Sequence, residues 1–391
     1  MQPFLTGCET RRGDINQPNA FTFIQLRYFT NRKHQQPAIT GSNGKSTTAA
    51  LTRHLLERDS RRSFLGGNIG TSLLPVVDDI TSDDVVVLEL SSFQLHYLRG
   101  ASFAPDVAIV TNFAANHLDW HGDTEAYHAA KQVLLNRQSR TQVATMPDDF
   151  LINQPMIPDQ DHLAWRVRSR CLRFGVADSG EDGVFLEDGL LIFRDHRHED
   201  AVRITQPSQL PGTHNAKNTA AASCAAFSLG VSPESIVDSL SSFVPLPHRL
   251  QLVAQGRGRK FYNDSVATTP ESAIAALETF EQPVVIIAGG SDKGANLTEL
   301  ARAIRRKADA VVLIGDTART LEFHLQNESQ AAGQLSVVVA DDFQNAFSQA
   351  VALSSEGGIV LLSPGCASYG WFRDFRDRGD QFTKLAEDWV L

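Results

Sequence analysis

Ala38-Ile39-Thr40-Gly41-Ser42-Asn43-Gly44-Lys45-Ser46-Thr47 joins a short apolar run to a helix-forming segment through two glycines, an amine and paired hydroxyls. This reads as a cradle for a nucleoside triphosphate. Gly41 and Gly44, with Ser42 and Asn43 between them, let the backbone approach phosphate oxygens and turn N–H groups toward them. Lys45 supplies a point charge, and Ser46 or Thr47 a hydroxyl for Mg²⁺ at the positive end of the following helix. The strict P-loop pattern would place its first glycine at Ile39, so the stretch departs from it. A glycine-rich turn capped by Ser46 is the bland alternative, and turn chemistry explains the adjacent Gly44-Lys45-Ser46-Thr47 poorly.

On either side of this loop the text alternates. Asp84 to Leu90 and Pro105 to Thr111 are β-branched apolar runs suited to strands buried on both faces, and helical patterns follow Lys45 and Thr124. Between about Thr141 and Pro211 the chain turns polar, with short candidate strands such as Gly189 to Phe193, which suggests an antiparallel excursion. A helix is expected from near Asn215 to Leu229, stopping at Gly230, and a second after Pro233. Pro245 to Arg249 reads as a hinge. Beyond it, strands near Lys260 to Tyr262, Val284 to Ala288, Ala310 to Ile314, Ser336 to Val339 and Gly358 to Leu362 alternate with helical stretches. The fold class is therefore α/β: a central P-loop-type nucleotide-binding domain with a mostly parallel sheet over 37–246, then a Rossmann-like doubly wound domain over 247–391. Residues 1–36, polar and irregular, read as a remnant or linker.

Composition narrows the class. A chain of 391 residues with 42% hydrophobic content can bury substantial cores, and a net charge of -9 argues against a general nucleic-acid binder. No signal peptide or long apolar run directs it into a membrane, so a cytoplasmic protein is expected. Cys8, Cys171, Cys224 and Cys366 are scattered, which suits reduced thiols better than disulfides or structural zinc.

Glu89 ends an apolar strand and precedes Ser91, Ser92 and Gln94. A carboxylate at the carboxyl edge of a parallel sheet can reach a Mg²⁺ held by Ser46, although an edge carboxylate bound to backbone amides is the plain alternative. His117 follows the next strand in a neighbouring loop; a lone histidine is more often structural, but the adjacent phosphate cradle reverses that reading. Lys131, on the helix after that loop, reads by itself as a solvated lysine. Gly289-Gly290-Ser291-Asp292-Lys293-Gly294 and Leu362-Ser363-Pro364-Gly365-Cys366-Ala367-Ser368 are strand-to-loop transitions that predict a second substrate pocket.

Taken together, Thr-Gly-Ser-Asn-Gly-Lys-Ser (40–46), Gly-Gly-Asn-Ile-Gly (66–70), Leu-Glu-Leu-Ser-Ser-Phe-Gln-Leu (88–95), Leu-Pro-Gly-Thr-His-Asn (210–215), Pro-His-Arg-Leu (247–250), Phe-Tyr-Asn-Asp-Ser (261–265), Ser-Pro-Gly-Cys-Ala-Ser (363–368) and Arg-Gly-Asp-Gln-Phe (378–382) resemble the Mur ligase family. These are ATP-dependent enzymes that join amino acids to the muramoyl precursor of bacterial cell wall. The match leans toward the branch that adds D-glutamate to UDP-N-acetylmuramoyl-L-alanine through an acyl phosphate, and the Asp-Asn-Pro-Arg motif of the diaminopimelate- or lysine-adding branch is absent.

By that resemblance, Lys45 and Ser46 would hold ATP phosphates and Mg²⁺, Glu89 a first metal, and His117 and Lys131 a second, with Lys131 carbamylated. Asn68, Ser91 and Gln94 match acceptor contacts. Asn215, Asn218, His248, Arg249 and Asp264 match the nucleotide side, and Thr268, Lys293, Ser368 and Phe375 a glutamate pocket. The resemblance implies ATP and two Mg²⁺ ions, small-molecule partners and a monomer. Two departures are visible. Family members carry a Rossmann-like domain before the loop to grip UDP, whereas 39 residues precede Thr40 here, so a weak hold on the UDP precursor is expected. Val266 stands where many relatives of that branch place lysine, which leaves L-glutamate open. A folylpolyglutamate-synthase-like ligase and an inactive nucleotide-binding homologue are the remaining alternatives.

Overall fold

Four short runs, β1 (Pro37–Thr40), β2 (Ser63–Gly67), β3 (Val85–Glu89) and β4 (Val107–Val110), lie parallel in the order β2-β3-β1-β4. Every residue of β1, β3 and β4 is buried, which is why these strands read as continuous apolar text rather than alternating. The computed structural model describes residues 34–69, 72–114, 116–153, 163–196, 198–204, 210–327 and 335–391. Most of the expected linker, with Cys8, and also Gly70 lie outside the described residues.

The register Ile39↔Glu89 and Thr40↔Val110 brings the ends of β1, β3 and β4 to one edge. Helix α1 (Lys45–Arg58) leaves that edge and buries Ala49, Leu51, Leu55 and Leu56. Helices α2 (Ser92–Tyr97), α3 (Leu118–His121) and α4 (Thr124–Asn136) follow β3 and β4. Strands β5 (Val143–Pro147), β6 (Arg170–Gly175) and β7 (Gly183–Glu187) extend the sheet in parallel, and β8 (Leu190–Arg194) and β9 (Glu199–Arg203) close it antiparallel. The expected antiparallel excursion is thus the β7-β8-β9 meander. Asp188 (φ 48°) and Gly189 (φ 74°) turn the first hairpin, as a two-residue loop with both residues left-handed requires. Helix α5 (Thr213–Ser228) stops before Gly230 (φ 88°), and α6 (Pro233–Leu240) follows.

The chain divides into two compact units. One reaches Thr205 and takes in Lys217–Leu240; the other comprises Gln206–Ala216 and Ser241–Leu391. The second unit is built from β10 (Gln251–Gly256), β11 (Arg259–Asn263), α7 (Pro270–Leu277), β12 (Val284–Gly289), α8 (Thr298–Lys307), β13 (Ala310–Ile314), α9 (Ala318–Asn327), β14 (Ser336–Val339), α10 (Phe343–Leu353), β15 (Ile359–Leu362) and α11 (Phe375–Val390). Its strand order is β10-β11-β15-β12-β13-β14, with only β10 antiparallel. Alternation along β12 explains the double winding: Val284, Ile286 and Ala288 pack with α7, α8 and α9, whereas Val285 and Ile287 pack with α10 and α11. Each fully buried Val or Ile contributes about 1.5–3 kcal/mol of apolar transfer, so both faces must be covered.

Candidate active site

The loop between β1 and α1 is shaped from three sides within the first unit. Gly44 has φ 77°, and a Cβ there would strike the Asn218 amide; at Gly41 it would strike the Thr111 hydroxyl. Asn112 holds Asn43 through both amide groups, accepting from its N–H at 2.8 Å and donating to its carbonyl at 2.9 Å. Thr111 Oγ1 donates to the same carbonyl at 2.6 Å. Ser42 Oγ donates to Ala114 O at 2.8 Å and lies 3.1 Å from the Tyr127 hydroxyl. Lys45 Nζ folds back to donate to Gly41 O and Ser42 O at 2.9 and 2.7 Å. Gly44 caps α1 without a side-chain bond, and Ser46 and Thr47 lie in the first turn, the end of a helix that favours an anion.

Lys131 corrects the reading of a solvated helix lysine. It is 1% exposed, donates to Gly41 O at 2.7 Å and lies 4.6 Å from the Tyr127 ring centroid. Burial lowers its amine well below the usual range, the Lys45 charge adds to that effect, and Glu89 opposes it. The spacing of Tyr127 and Lys131, one helical turn apart, and the tertiary contact with Gly41 together make this an interior amine.

Glu89 ends β3 with 1% exposure. Its Oε1 accepts from Asn68 Nδ2 at 3.0 Å, rather than from backbone amides, and its Oε2 is buried without a hydrogen-bond partner among the described residues. An orphaned buried carboxylate oxygen needs a cation or a donor, so Glu89 fits a divalent cation such as Mg²⁺. Among the described residues no three His, Cys, Asp or Glu side chains gather closely enough to hold a metal by themselves. His117, left-handed at φ 55° and exposed, starts α3 with its ring 5.0 Å from Phe93. Ser91 and Gln94 form a capping box at α2, while Gln94 Nε2 remains a buried donor without a partner, suited to an acceptor ligand.

The remaining expected residues stand as follows. Asn218 accepts from Thr48 Oγ1 at 3.4 Å, and Asn215 donates to Pro211 O at 2.8 Å. In the second unit, His248 (φ 62°) approaches Asn263 Nδ2 at 3.1 Å, and burial lowers its imidazole against the opposing pull of Asp380. Arg249 is half-buried. Asp264 accepts from Leu250 N and from Ser363 Oγ, and burial pushes it up to about 7. Thr268 and Lys293 are exposed, with the Lys293 ammonium 5.1 Å from the Tyr369 ring centroid; Ser368 is buried and Phe375 half-buried. Thr111, Asn112 and Tyr127 were not singled out from sequence as loop-positioning residues. Thr111 and Asn112 had a signal in their place just past the end of β4, at the carboxyl edge.

Residues 39–226 match the Mur ligase middle domain, and residues 248–366 the Mur ligase glutamate ligase domain. The UDP-N-acetylmuramoylalanine–D-glutamate ligase of Pelotomaculum thermopropionicum is 35% identical over 93% of this chain and 76% of its own length. The enzymes of the same name from Shouchella clausii and Bacillus subtilis are 38% and 37% identical over the same shares. Among solved structures, the MurF ligase of Thermotoga maritima in complex with ADP superposes with a TM-score of 0.66 at 20% identity, over 97% of this chain and 88% of that one, a likeness of fold. With two of the family's domains matched in chain order over most of its length, and relatives above 30% identity, the chain belongs to the Mur ligase family.

Proposed function

We propose that the protein is an ATP-dependent amide-bond ligase that adds D-glutamate to UDP-N-acetylmuramoyl-L-alanine in peptidoglycan precursor synthesis. The observation that carries this reading is the gathering of Lys45, the buried Lys131 and the half-orphaned Glu89 around one glycine loop. The relatives named for that reaction supply the substrates.

In this reading the acceptor carboxylate attacks the γ-phosphorus of ATP, giving an acyl phosphate and ADP; the glutamate amine then attacks the acyl carbon, a tetrahedral adduct collapses and phosphate leaves as the amide forms. Lys45 and the loop N–H groups stabilise charge gathering on the phosphoryl oxygens. Ser46 and Glu89 would hold a Mg²⁺ ion, which when bound would neutralise further charge on the phosphoryl oxygens. Lys131, whose burial favours the uncharged amine, would take up CO₂ as a carbamate with release of a proton, and with His117 would then offer a second anionic or imidazole ligand set. Asn68, Ser91 and Gln94 orient the acceptor, Asn215, Asn218, His248, Arg249 and Asp264 the nucleotide, and Thr268, Lys293, Ser368 and Phe375 the glutamate. The domains we assign are 37–246 and 247–391. A cytoplasmic monomer suits the reading, since Cys171, Cys224 and Cys366 are free thiols. No helix among the described residues is long and apolar enough to cross a membrane.

The test is phosphate release from ATP with Mg²⁺, UDP-N-acetylmuramoyl-L-alanine and each glutamate enantiomer. Turnover with D-glutamate alone is expected. Turnover with L-glutamate alone would transfer the assignment to that enantiomer, as Val266 in place of lysine allows, and turnover only with a folate acceptor would overturn it.

A further inference from the structure

Arg378, in the first turn of α11, has none of its surface exposed and makes no ion pair among the described residues. Its Nε donates to Ser265 Oγ at 2.9 Å and its Nη2 to Ser265 O at 2.8 Å, in the loop after β11. Its Nη1 donates to Cys366 O and Ala367 O at 3.2 and 3.3 Å, in the loop after β15. Ala367 O also accepts from Ser291 N at 2.9 Å, in the loop after β12, and Gly365 N donates to Ala267 O at 2.9 Å. One guanidinium therefore ties together the loops after β11 and β15, and the loop after β12 joins them through the Ala367 carbonyl that the guanidinium also holds; the three strands are adjacent and parallel, and their carboxyl edge is where open α/β sheets receive ligands. A Cβ at Gly290 would strike Ala367 O, so the third loop can pack this closely only as glycine.

The charge matters as much as the bracing. Carbonyl dipoles offset a buried cation only in part, and an unpaired buried charge is costly. Of the two groups whose fields reach Arg378, Cys366 is a thiol that burial pushes up, and Asp264 is itself pushed up to about 7 and is hydrogen-bonded elsewhere.

We infer that Arg378 is the positioning residue of an anionic amino-acid subsite, holding the loops of Thr268, Lys293 and Ser368 in the arrangement that receives the carboxylates of the incoming amino acid. This rests on the ligase reading above and names a residue for its second substrate. Lysine at 378 would keep the charge but lose the fork that reaches two loops at once. Ser265→Ala keeps the guanidinium and removes one of its anchors.

The experiment measures KM for ATP and for the amino acid, with kcat, in the full chain, for the parent, Arg378→Lys and Ser265→Ala, alongside thermal unfolding. We expect Arg378→Lys to raise the amino-acid KM by about tenfold or more and Ser265→Ala by about threefold, with the ATP KM within about twofold of the parent. Folded variants with an unchanged amino-acid KM would overturn the inference, and so would equal rises in both KM values, the mark of a general brace. If Arg378→Lys does not fold, Ser265→Ala decides by the same split. If the parent ignores glutamate but uses another anionic amino acid, the ligase's substrate assignment fails while the same KM comparison still judges Arg378. If no anionic amino acid supports phosphate release, both fall.

Discussion

The Lys131 side-chain nitrogen lies 2.7 Å from the carbonyl oxygen of Gly41, ninety positions away, on a residue with 1% of its surface exposed. The contact fixes a basic group directly against the nucleotide loop. Its lowered affinity for a proton follows from burial first and from Lys45 second.

Replacing Lys131 by methionine should abolish turnover, by about 10³-fold or more if the amine or its carbamate is a phosphate or metal partner. Stability should fall by no more than about 1 kcal/mol, because the cost of burying a polar amine is removed together with its hydrogen bond. The sign of the pH effect follows from linkage. Between the lowered folded value and the ordinary lysine value near 10.5, the unfolded chain binds more protons, so parental stability rises with pH there. Lys131→Met should lose that rise, as urea unfolding at stepped pH would show; an equal slope in both proteins would contradict it.

Glu89→Gln keeps an oxygen for Asn68 and removes the charge. Phosphate release should drop about 10²-fold, with the Mg²⁺ concentration for half activity shifted upward, while unfolding changes by less than about 1 kcal/mol. Mg²⁺ titrations that superpose on the parent's would exclude Glu89 as a metal ligand.

Gly44→Ala forces a side chain into φ 77° and against Asn218. We expect a loss of about 1–3 kcal/mol in stability and weaker ATP binding, since the loop must move to relieve the clash. Calorimetric unfolding with and without ATP measures both.

Asp264 is raised to about 7 in the folded protein from the ordinary 3.8, so the folded state binds the extra proton between those values. Its contribution to stability therefore decreases as pH rises from about 4 to 7 and stays at its lower level above. Asp264→Asn should be more stable than the parent at pH 8, and the difference should shrink toward pH 4. A difference independent of pH would show that Asp264 does not titrate as described.

The nucleotide loop, β3, β4 and the five parallel strands of the second sheet were legible in the sequence because buried parallel strands are continuous apolar runs and the loop's glycines are local requirements. Strand β2, Ser-Phe-Leu-Gly-Gly, was not, since two glycines in five residues give no strand signal and it forms only against β3. Strand β10 was also missed. Its residues pair antiparallel to β11 across Arg257 and Gly258, both left-handed, a turn that the arginine disguises.

By itself the sequence determined β3, β4 and the parallel strands of the second sheet, the glycine loop at 41–44 and the placing of Lys45, Ser46 and Glu89 at strand ends and helix starts, because these depend on neighbours within a few residues. Only the tertiary structure decided that Lys131 is interior, that Glu89 Oε2 lacks a partner among the described residues and that Arg378 joins the loops after β11 and β15. Each is a matter of desolvation and hydrogen bonding between segments far apart in the chain, and a lysine or arginine on a helix carries no local mark of which of its faces will be covered.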